Sequence, residues 1–309
     1  MIATFRRSQL APAPQGSVVS LGMFDGVHLG HQAILAANVQ RARELGALAT
    51  VVTFRRHPKK LLLGQAPRTL TTLEHRLELF ARAGIEHALV LDFDAALRSL
   101  TAAEFTREIA VRALGVRLFV LGFDSKFGRD RGGTPDSLRA QGFEVEVAAK
   151  VQAQGRAVSS TVIREAVELG DLTAAAAMLG RPVSVLGRVI HGASLGHQIG
   201  FPTANLDLHH ELHPPAGVYA TRVHHLPRSG PRVSHGGVAN IGFRPTVAPE
   251  PARRPQVEVH VLDFDGDLYG ERIELEFLAR LRGERRFAGI DELAAQIARD
   301  VHAARKLLG

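Results

Sequence analysis

The sequence predicts an α/β domain with a parallel sheet, followed by a small β-barrel or sandwich that a C-terminal helix closes. In the first part of the chain, apolar runs alternate with stretches whose apolar residues recur every three or four positions. This alternation is typical of a parallel sheet covered by helices. After Gly180-Arg181-Pro182 the pattern changes to short β-like runs separated by Gly and Pro, which is typical of a small barrel or sandwich. We therefore expect two domains, 1–181 and 182–309.

The first domain is predicted to contain five strands and at least three helices. The strands are 17–24, 47–54, 87–93, 117–124 and 144–151. The helices are 32–45, 72–84 and 101–115, and a further helix begins near Ser159. Since ligands bind at the carboxyl ends of parallel strands, we expect the chemistry of this domain at those ends.

The second domain is predicted to contain five strands and a final amphipathic helix. The strands are 183–190, 218–225, 233–241, 257–264 and 272–281, and the helix is 290–308. A basic cluster, Arg280, Arg282, Arg285 and Arg286, precedes this helix. It is either a flap that faces a flavin or nucleotide, or a solvated basic turn, and we favour the solvated turn for Arg282 and Arg286.

Composition excludes several classes of protein. The 309 residues are 45% hydrophobic and 22% charged, which are ordinary globular values and exclude a disordered or low-complexity chain. There is no cysteine, so a thiolate nucleophile and a cysteine metal site are excluded. No apolar run approaches the ~18 residues of a membrane span, and no signal-peptide pattern opens the chain. We expect a cytoplasmic protein with no membrane partner.

The charge balance suits an anionic partner. The chain carries 38 Lys and Arg against 31 Asp and Glu, a net charge of +7, and most of its cations are Arg, whose planar fork binds phosphate well. A basic nucleic-acid-binding protein is the rival from another class. That rival predicts clustered cations interleaved with aromatic residues, whereas this chain has no Trp, two Tyr and scattered Arg. We therefore expect no nucleic-acid partner.

A glycine- and histidine-rich junction marks the first candidate site. The predicted strand 17–24 leads through Asp25-Gly26-Val27-His28-Leu29-Gly30-His31 into a helix. Glycines let the backbone approach a ligand, and helix N–H groups together with two imidazoles suit a phosphate. The alternatives are half of a zinc site and ordinary surface histidines. An ordinary P-loop is excluded, because no lysine lies between a glycine and a Ser or Thr.

The second candidate site combines a hydroxyl and an amide. Thr203 and Asn205 stand two apart after Gly200-Phe201-Pro202, so in an extended segment they share one face. Their neutral oxygens suit Mg²⁺, and the alternative is a proline-led turn with a self-bonded Asn. The nearby Gly-x-Ser-x-Gly pattern at 192–196 is not a hydrolase elbow, because Gly and Pro rather than a helix follow it.

These motifs carry a family resemblance over the whole chain. The sequence Gly-x-Phe-Asp-Gly-x-His-x-Gly-His between a strand and a helix resembles the nucleotidyltransferases, and its longer form is similar to the adenylyltransferase half of bifunctional riboflavin kinase/FMN adenylyltransferases. Segments 53–58, 122–128 and 159–164 fit the same half. Phe-Pro-Thr-Ala-Asn at 201–205, then 215–220, 238–246, 257–260 and 263–270, follow in the order of the riboflavin kinase domain.

The resemblance implies roles for individual residues. In the first domain, His28, His31 and Arg164 would stabilise the charge on phosphates. ATP would also contact Gly22, Phe24, Asp25, Gly30, Ser159, Ser160 and Thr161, and the flavin would contact Phe54, His57, Pro58, Asp124 and Phe127. In the second domain, Glu258 would take the proton of the ribityl hydroxyl. ATP would contact Gly196, Gly200, Phe201, Pro202 and Asn240, and Thr203 and Asn205 would hold the metal.

The resemblance therefore implies two reactions with ATP as co-substrate and Mg²⁺ as cofactor. Riboflavin is phosphorylated to FMN in the barrel domain, and FMN is adenylylated to FAD in the α/β domain with release of pyrophosphate. The expected small-molecule partners are riboflavin, FMN, FAD and ATP. Departures from the family pattern are Ser125 and Lys126, where Phe and Arg are usual, and His197 and Val247. The alternative is a single-activity riboflavin kinase whose adenylyltransferase half is impaired.

Overall fold

The computed structural model describes residues 1–5, 12–57, 64, 67–153, 155–191, 200–208, 211–227, 229–242 and 256–309. The chain forms two compact units, Met1–Ser160 and Thr161–Gly309. Of the predicted site residues, Pro58 and Gly196 lie outside the described residues, as do the 192–196 motif, His197 and Val247.

The first unit is built on a six-stranded sheet in which every neighbouring pair is parallel. Its strands are β1 Ile2–Thr4, β2 Ser17–Leu21, β3 Leu48–Phe54, β4 His87–Leu91, β5 Val116–Gly122 and β6 Glu144–Ala148. Their order across the sheet is β1-β4-β3-β2-β5-β6. The chain moves from β2 to β3 on one side and later returns to β5 on the other. The carboxyl ends of β2 and β5 are therefore a topological switch point, where ligands of such sheets bind.

Helices cover both faces of this sheet. They are α1 Leu29–Leu45, α2 Leu73–Arg82, α3 Ala95–Ser99, α4 Ala102–Phe105 and α5 Pro135–Ala140. One core cluster contains Leu35 of α1 and Phe80 of α2, and another contains Ile109 and Leu138. A two-residue hairpin, β7 Gln152–Ala153 and β8 Arg156–Ala157, follows the sheet. The predicted parallel α/β architecture is confirmed.

The predicted helix 101–115 is helical, but it is not one regular α-helix. A capping box between Thr101 and Glu104 opens α4, and the chain then continues as a π-helical segment, Thr106–Val111. The hydroxyl of Thr106 donates to the Ala102 carbonyl at 2.8 Å where the hydrogen-bond spacing changes. A Thr that bonds back to the preceding turn competes with the backbone ladder and bends a helix. Hydrophobic periodicity does not report this competition.

The second unit begins with helices and ends in a closed antiparallel barrel. The helices are α6 Ser160–Leu169, whose first residue belongs to the first unit, and α7 Leu172–Leu179. The barrel strands are β9 Val183–Ile190, β10 Ala204–Asp207, β11 Gly217–Leu226, β12 Val233–Gly242, β13 Gln256–Val261 and β14 Arg272–Arg282. Their order is β10-β13-β12-β11-β14-β9, and β9 pairs with β10 to close the barrel. The predicted barrel is confirmed, with β10 as a strand that the periodicity did not predict.

The C-terminal helix α8, Ile290–Leu308, packs on the outside of the barrel. Its Ala304 is buried with Val218, Ala220 and Val238. Asp291 and Glu292 occupy its first turn and basic residues its last turn, which complements the helix dipole.

One interpretation of the basic cluster is wrong. Arg282 is not part of a solvated turn, because its guanidinium donates from Nη2 at 2.8 Å and from Nε at 3.0 Å to Asp300 Oδ2. The Asp300 side chain is only 6% exposed, and Gln296 donates to its other oxygen. This pair links the end of β14 to α8. Arg286 is exposed, as expected.

Candidate active sites

The turn after β2 combines three residues with positive φ. Phe24 has φ 51°, Gly26 has φ 81° and Val27 has φ 41°. Glycine accepts this region freely, but a β-branched valine does so only under strain. The Val27 N–H donates to the Phe24 carbonyl at 3.1 Å, and both side chains are buried in the core. Packing therefore maintains a strained turn, as is typical of functional sites.

Hydrogen bonds with Thr71 and Ser160 fix the middle of this turn. The carboxylate of Asp25, which is 2% exposed, accepts from the Thr71 N–H at 3.1 Å. The Gly26 N–H donates to the Thr71 hydroxyl at 3.0 Å. The Ser160 hydroxyl donates to the Asp25 carbonyl, also at 3.0 Å. The Asp25 carboxylate is thus directed to the backbone of Thr71 and shapes the turn.

The two histidines of the motif lie at the start of α1. His28 is the N-cap residue, and its Nδ1 accepts from the His31 N–H at 3.4 Å. The two rings stack with centroids 3.6 Å apart, and the Phe24 ring meets His31 edge-on at 5.1 Å. A Cβ on Gly30 would lie 3.3 Å from the His28 ring. The glycine therefore lets the helix start pass close to the imidazole.

The surroundings of His31 favour its neutral form. Its pKa is held well below 6.5, first by burial, then by the neighbouring His28 and by the charge of Arg76. Its Nδ1 is buried and has no hydrogen-bond partner among the described residues. The N–H groups of α1 also point out of this end of the helix, and its first turn contains no acidic side chain. This arrangement favours an anion.

The predicted flavin contacts lie on both sides of β2. Phe54 ends β3, with its ring 5.7 Å from that of Phe93, and His57 follows it. Asp124 follows β5 and is exposed, while Phe127 is half-buried with its ring 5.3 Å from Phe105. Because β3 and β5 are the neighbours of β2, the ends of these strands meet at the switch point.

The Gly22 and Ser159 regions complete the positions expected for ATP. Gly22 follows β2, and a Cβ there would lie 3.1 Å from the Phe24 ring. Ser159 and Ser160 stand at the start of α6, where Ser160 contacts the carbonyl of Asp25. Thr161 and Arg164 are on the part of α6 that belongs to the second unit.

Two residues of this site were not predicted. Thr71 precedes α2 and holds the Asp25 turn, and Arg76 lies within α2 and is 1% exposed. An arginine in an amphipathic helix normally points to solvent, and nothing in the local sequence distinguishes Arg76 from such a residue. In the sequence, Thr71 and Thr72 before α2 indicate only a helix cap.

In the barrel, three polar residues align across neighbouring strands. Glu258 of β13 stands opposite Asn205 of β10 on one side and opposite Asn240 of β12 on the other. Residues opposite each other in a sheet point to the same face. Val257 and Val259, which flank Glu258, are fully buried, so the Glu258 side chain points to the other face, away from them. Asn205 is 8% exposed.

The segment before β10 leads to a small pocket. Gly200 has φ 82°, and the Pro202 carbonyl accepts from Nδ1 of His260 at 2.8 Å. The Phe201 ring meets the His260 ring edge-on at 5.5 Å. Thr203 and Pro202 line a pocket of about 190 Å³ together with apolar groups that include Val259 and Phe264. His260, two residues after Glu258, was not predicted to take part here.

An anion-favouring helix start at the switch point of a parallel sheet, and a carboxylate between two amides on a barrel, define an enzyme of nucleotide chemistry with two domains. Comparison with family models agrees: residues 10–162 match FAD synthetase, and residues 179–308 match riboflavin kinase.

Relatives of the chain share both halves. It is 43% identical to the bifunctional riboflavin kinase/FMN adenylyltransferase of Pseudomonas fluorescens, over 96% of this chain and 95% of that protein. The identity to the enzyme of the same name from Escherichia coli K12 is 40%, over 97% and 96%. The chain belongs to the bifunctional riboflavin kinase/FMN adenylyltransferase family, as its motifs predict.

A crystal structure described as a macrolide-efflux protein from Streptococcus pneumoniae has the same fold. It matches with a TM-score of 0.82 and 31% identity, over 99% of both chains. In the described part of the present chain, no helix has the length and apolar character needed to cross a membrane.

Proposed function

We propose that both domains are active in this chain. The barrel domain, from about residue 182, transfers the γ-phosphoryl group of ATP to riboflavin, and the α/β domain, to about residue 181, joins the resulting FMN to the AMP moiety of a second ATP. The observation that supports this most strongly is that one chain combines the stacked His28–His31 pair at a helix start with Glu258 aligned between two amides.

The proposed adenylyl transfer takes place at the start of α1, beside His28 and His31. An oxygen of the FMN phosphate attacks the α-phosphorus of ATP, the bond to the bridging oxygen breaks, and pyrophosphate leaves. Charge accumulates on the transferring and leaving phosphates, and donors fixed in advance stabilise it. His28 and His31 are the proposed donors, together with the N–H groups of α1, and Arg164 is a further donor that the sequence resemblance alone implies. Ser159 and Ser160 would contact the phosphates from the start of α6, and the sequence resemblance implies the same contact for Thr161.

The proposed flavin site of this domain lies at the neighbouring strand ends. Phe54 and His57 on the β3 side, with Asp124 and Phe127 on the β5 side, would hold the isoalloxazine and ribityl groups. Pro58 belongs to the same proposal from the sequence. Burial of an aromatic ring between such side chains contributes about 1.5–3 kcal/mol.

The proposed phosphoryl transfer uses Glu258 and the two amides beside it, Asn205 and Asn240. The 5′-hydroxyl of riboflavin attacks the γ-phosphorus of ATP in line, ADP leaves, and the hydroxyl proton goes to a carboxylate. Glu258 is the proposed acceptor, because it is an outward-facing carboxylate between Asn205 and Asn240. The pocket beside Thr203 suits the adenine of ATP, since it is small and largely apolar.

The donor set at Thr203 and Asn205 fits Mg²⁺. A hydroxyl and an amide oxygen at positions i and i+2 of an extended segment are the oxygen ligands that Mg²⁺ prefers, with further positions left for water and phosphate. When bound, the ion would neutralise charge on the phosphates. Thr203 and Asn205 would hold it, and Glu258 would act beside it as the proton acceptor.

The single-activity alternative rests on Ser125 and Lys126. The Ser125 N–H donates to the Gly122 carbonyl at 3.1 Å, so the turn after β5 is formed with these residues in place. No observation favours loss of the adenylyltransferase step. We propose ATP, riboflavin, FMN and FAD as the small-molecule partners and the cytoplasm as the location.

Chromatography of the flavins tests the proposal. The purified chain is incubated with ATP and Mg²⁺ and either riboflavin or FMN, and riboflavin, FMN and FAD are followed over time. We expect riboflavin to give FMN and then FAD, and FMN to give FAD directly. Formation of FMN without FAD from either substrate would support the single-activity alternative, and no conversion of either would contradict the proposal.

A further inference from the structure

Arg76 is the largest fully buried side chain of the described residues, with 1% exposure. It belongs to α2, and its guanidinium contacts the segment after β2 and the last residue of β3. Its Nη1 donates to the Met23 carbonyl at 2.6 Å and its Nη2 to the Phe54 carbonyl at 3.0 Å. A buried charge has a large desolvation cost, so its presence at this position calls for a reason beyond filling space.

The two carbonyls belong to the two segments of the adenylyltransferase site. Met23 immediately precedes Phe24, the first residue of the strained turn that leads to His28. Phe54 ends β3 and immediately precedes the segment that continues to His57. One planar guanidinium therefore joins the strained turn after β2, called the phosphate turn below, to the end of β3. The hydroxyl of Thr53 also donates to the Met23 carbonyl, at 3.3 Å.

The charge of Arg76 reaches the histidine pair as well. It acts on His31 together with His28, and both lower the pKa of His31. The charge of the buried Arg76 guanidinium therefore acts at the proposed phosphate site.

We propose that Arg76 is a positioning residue for FMN adenylylation: it fixes the phosphate turn and the end of β3 relative to each other and supplies buried positive charge beneath the triphosphate. The inference rests on the proposed site at His28 and His31. It assigns Arg76 no contact with substrate.

Substitutions at Arg76 separate its geometry from its charge. Arg76→Lys keeps the positive charge but lacks the planar guanidinium that donates to two carbonyls. Arg76→Met removes both the charge and these hydrogen bonds. Arg82→Met is the matched control, because Arg82 is on the same helix in a half-exposed pair with Glu78. Riboflavin phosphorylation by the same chain reports whether the second unit remains folded.

We expect both Arg76 variants to lower kcat for FMN adenylylation by about 100-fold, the effect of a misplacement of roughly 1 Å. Riboflavin phosphorylation and both activities of Arg82→Met should stay at the wild-type level. In Arg76→Met the midpoint of the pH profile of kcat/KM for ATP should move to higher pH, because His31 loses a neighbouring positive charge; in Arg76→Lys it should not move.

Wild-type kcat for adenylylation in both variants would overturn the proposal, and so would a loss in Arg76→Met that merely follows its unfolded fraction, with no shift of the pH profile. If Arg76→Met does not fold, an unchanged kcat in Arg76→Lys overturns it. His28→Ala is measured in parallel. Full adenylylation in His28→Ala would show that the site itself is assigned wrongly, whereas its loss together with full activity of the Arg76 variants would reject only the role of Arg76.

Discussion

His28 and His31 stack with their ring planes inclined by only 16° and their centroids 3.6 Å apart. Two imidazolium ions would repel at this distance. Burial and the charge of Arg76 further oppose protonation, so the pKa of His31 lies well below 6.5. The free protein therefore presents a neutral His31 to an incoming anion.

A first prediction concerns stability at low pH. The pKa of His31 is lower in the folded than in the unfolded chain, where it is about 6.5. Above about pH 6.5, His31 is uncharged in both states and does not reduce the free energy of unfolding. Below that pH the unfolded chain binds a proton more readily, so the free energy of unfolding falls by at most about 1.4 kcal/mol per pH unit. Urea unfolding of His31→Gln should show a weaker loss of stability between pH 7.5 and 5 than the wild type. His302→Gln, on the exposed side of α8, is the control, and equal pH dependence of all three proteins would contradict the prediction.

A second prediction concerns the base of the kinase step. Glu258→Gln keeps the size of the side chain but cannot accept the hydroxyl proton, so kcat for riboflavin phosphorylation should fall by about 10²–10⁴-fold. FMN adenylylation should be unchanged. The control is Glu276→Gln on β14, because Glu276 is a half-buried barrel carboxylate that pairs with His224. Full phosphorylation by the Glu258 variant would place the base elsewhere.

A third prediction concerns the metal. Removal of one oxygen ligand in Asn205→Ala should raise the Mg²⁺ concentration needed for half-maximal riboflavin phosphorylation by about tenfold. A magnesium titration of the initial rate measures this effect. Adenylylation of FMN by the same variant should keep its wild-type magnesium dependence. An unchanged titration for phosphorylation would show that Asn205 does not hold the ion.

A fourth prediction concerns the link between β14 and α8. Arg282→Met leaves the Asp300 carboxylate, 6% exposed, without its bidentate partner and should destabilise the second unit by about 2–4 kcal/mol. Thermal and urea unfolding measure this loss. Asp300→Asn in the same background should recover part of it, and Arg286→Met, at an exposed position, should have little effect. A stability loss as small as that of Arg286→Met would mean that the pair contributes nothing.

The sequence predicts the fold well where hydrophobic periodicity is strong. The strand 183–190 and the helix 290–308 coincide with β9 and α8. The strand β10 was missed because it is only four residues long and follows a Gly- and Pro-rich segment. Four of the five predicted strands of the first domain extend two or three residues beyond their observed carboxyl ends, and the strand 47–54 ends with β3 at Phe54.

Only part of the two candidate sites could be predicted from the sequence. The motif around His28 and the Thr203–Asn205 pair are visible because their residue types are unusual for their positions. Arg76 and Arg282 look like ordinary surface arginines, and only the tertiary structure shows that one holds two strand ends and the other a buried carboxylate. Their roles depend on partners 22 to 53 residues away for Arg76 and 18 for Arg282, which local patterns do not encode.

The most direct test of two separate sites in one chain is a mixing experiment with riboflavin, ATP and Mg²⁺. His28→Ala alone should accumulate FMN, and Glu258→Gln alone should leave riboflavin unconverted but still turn added FMN into FAD. An equimolar mixture of the two variants should produce FAD from riboflavin. A mixture that stops at FMN, or a single variant that completes both steps, would contradict the account.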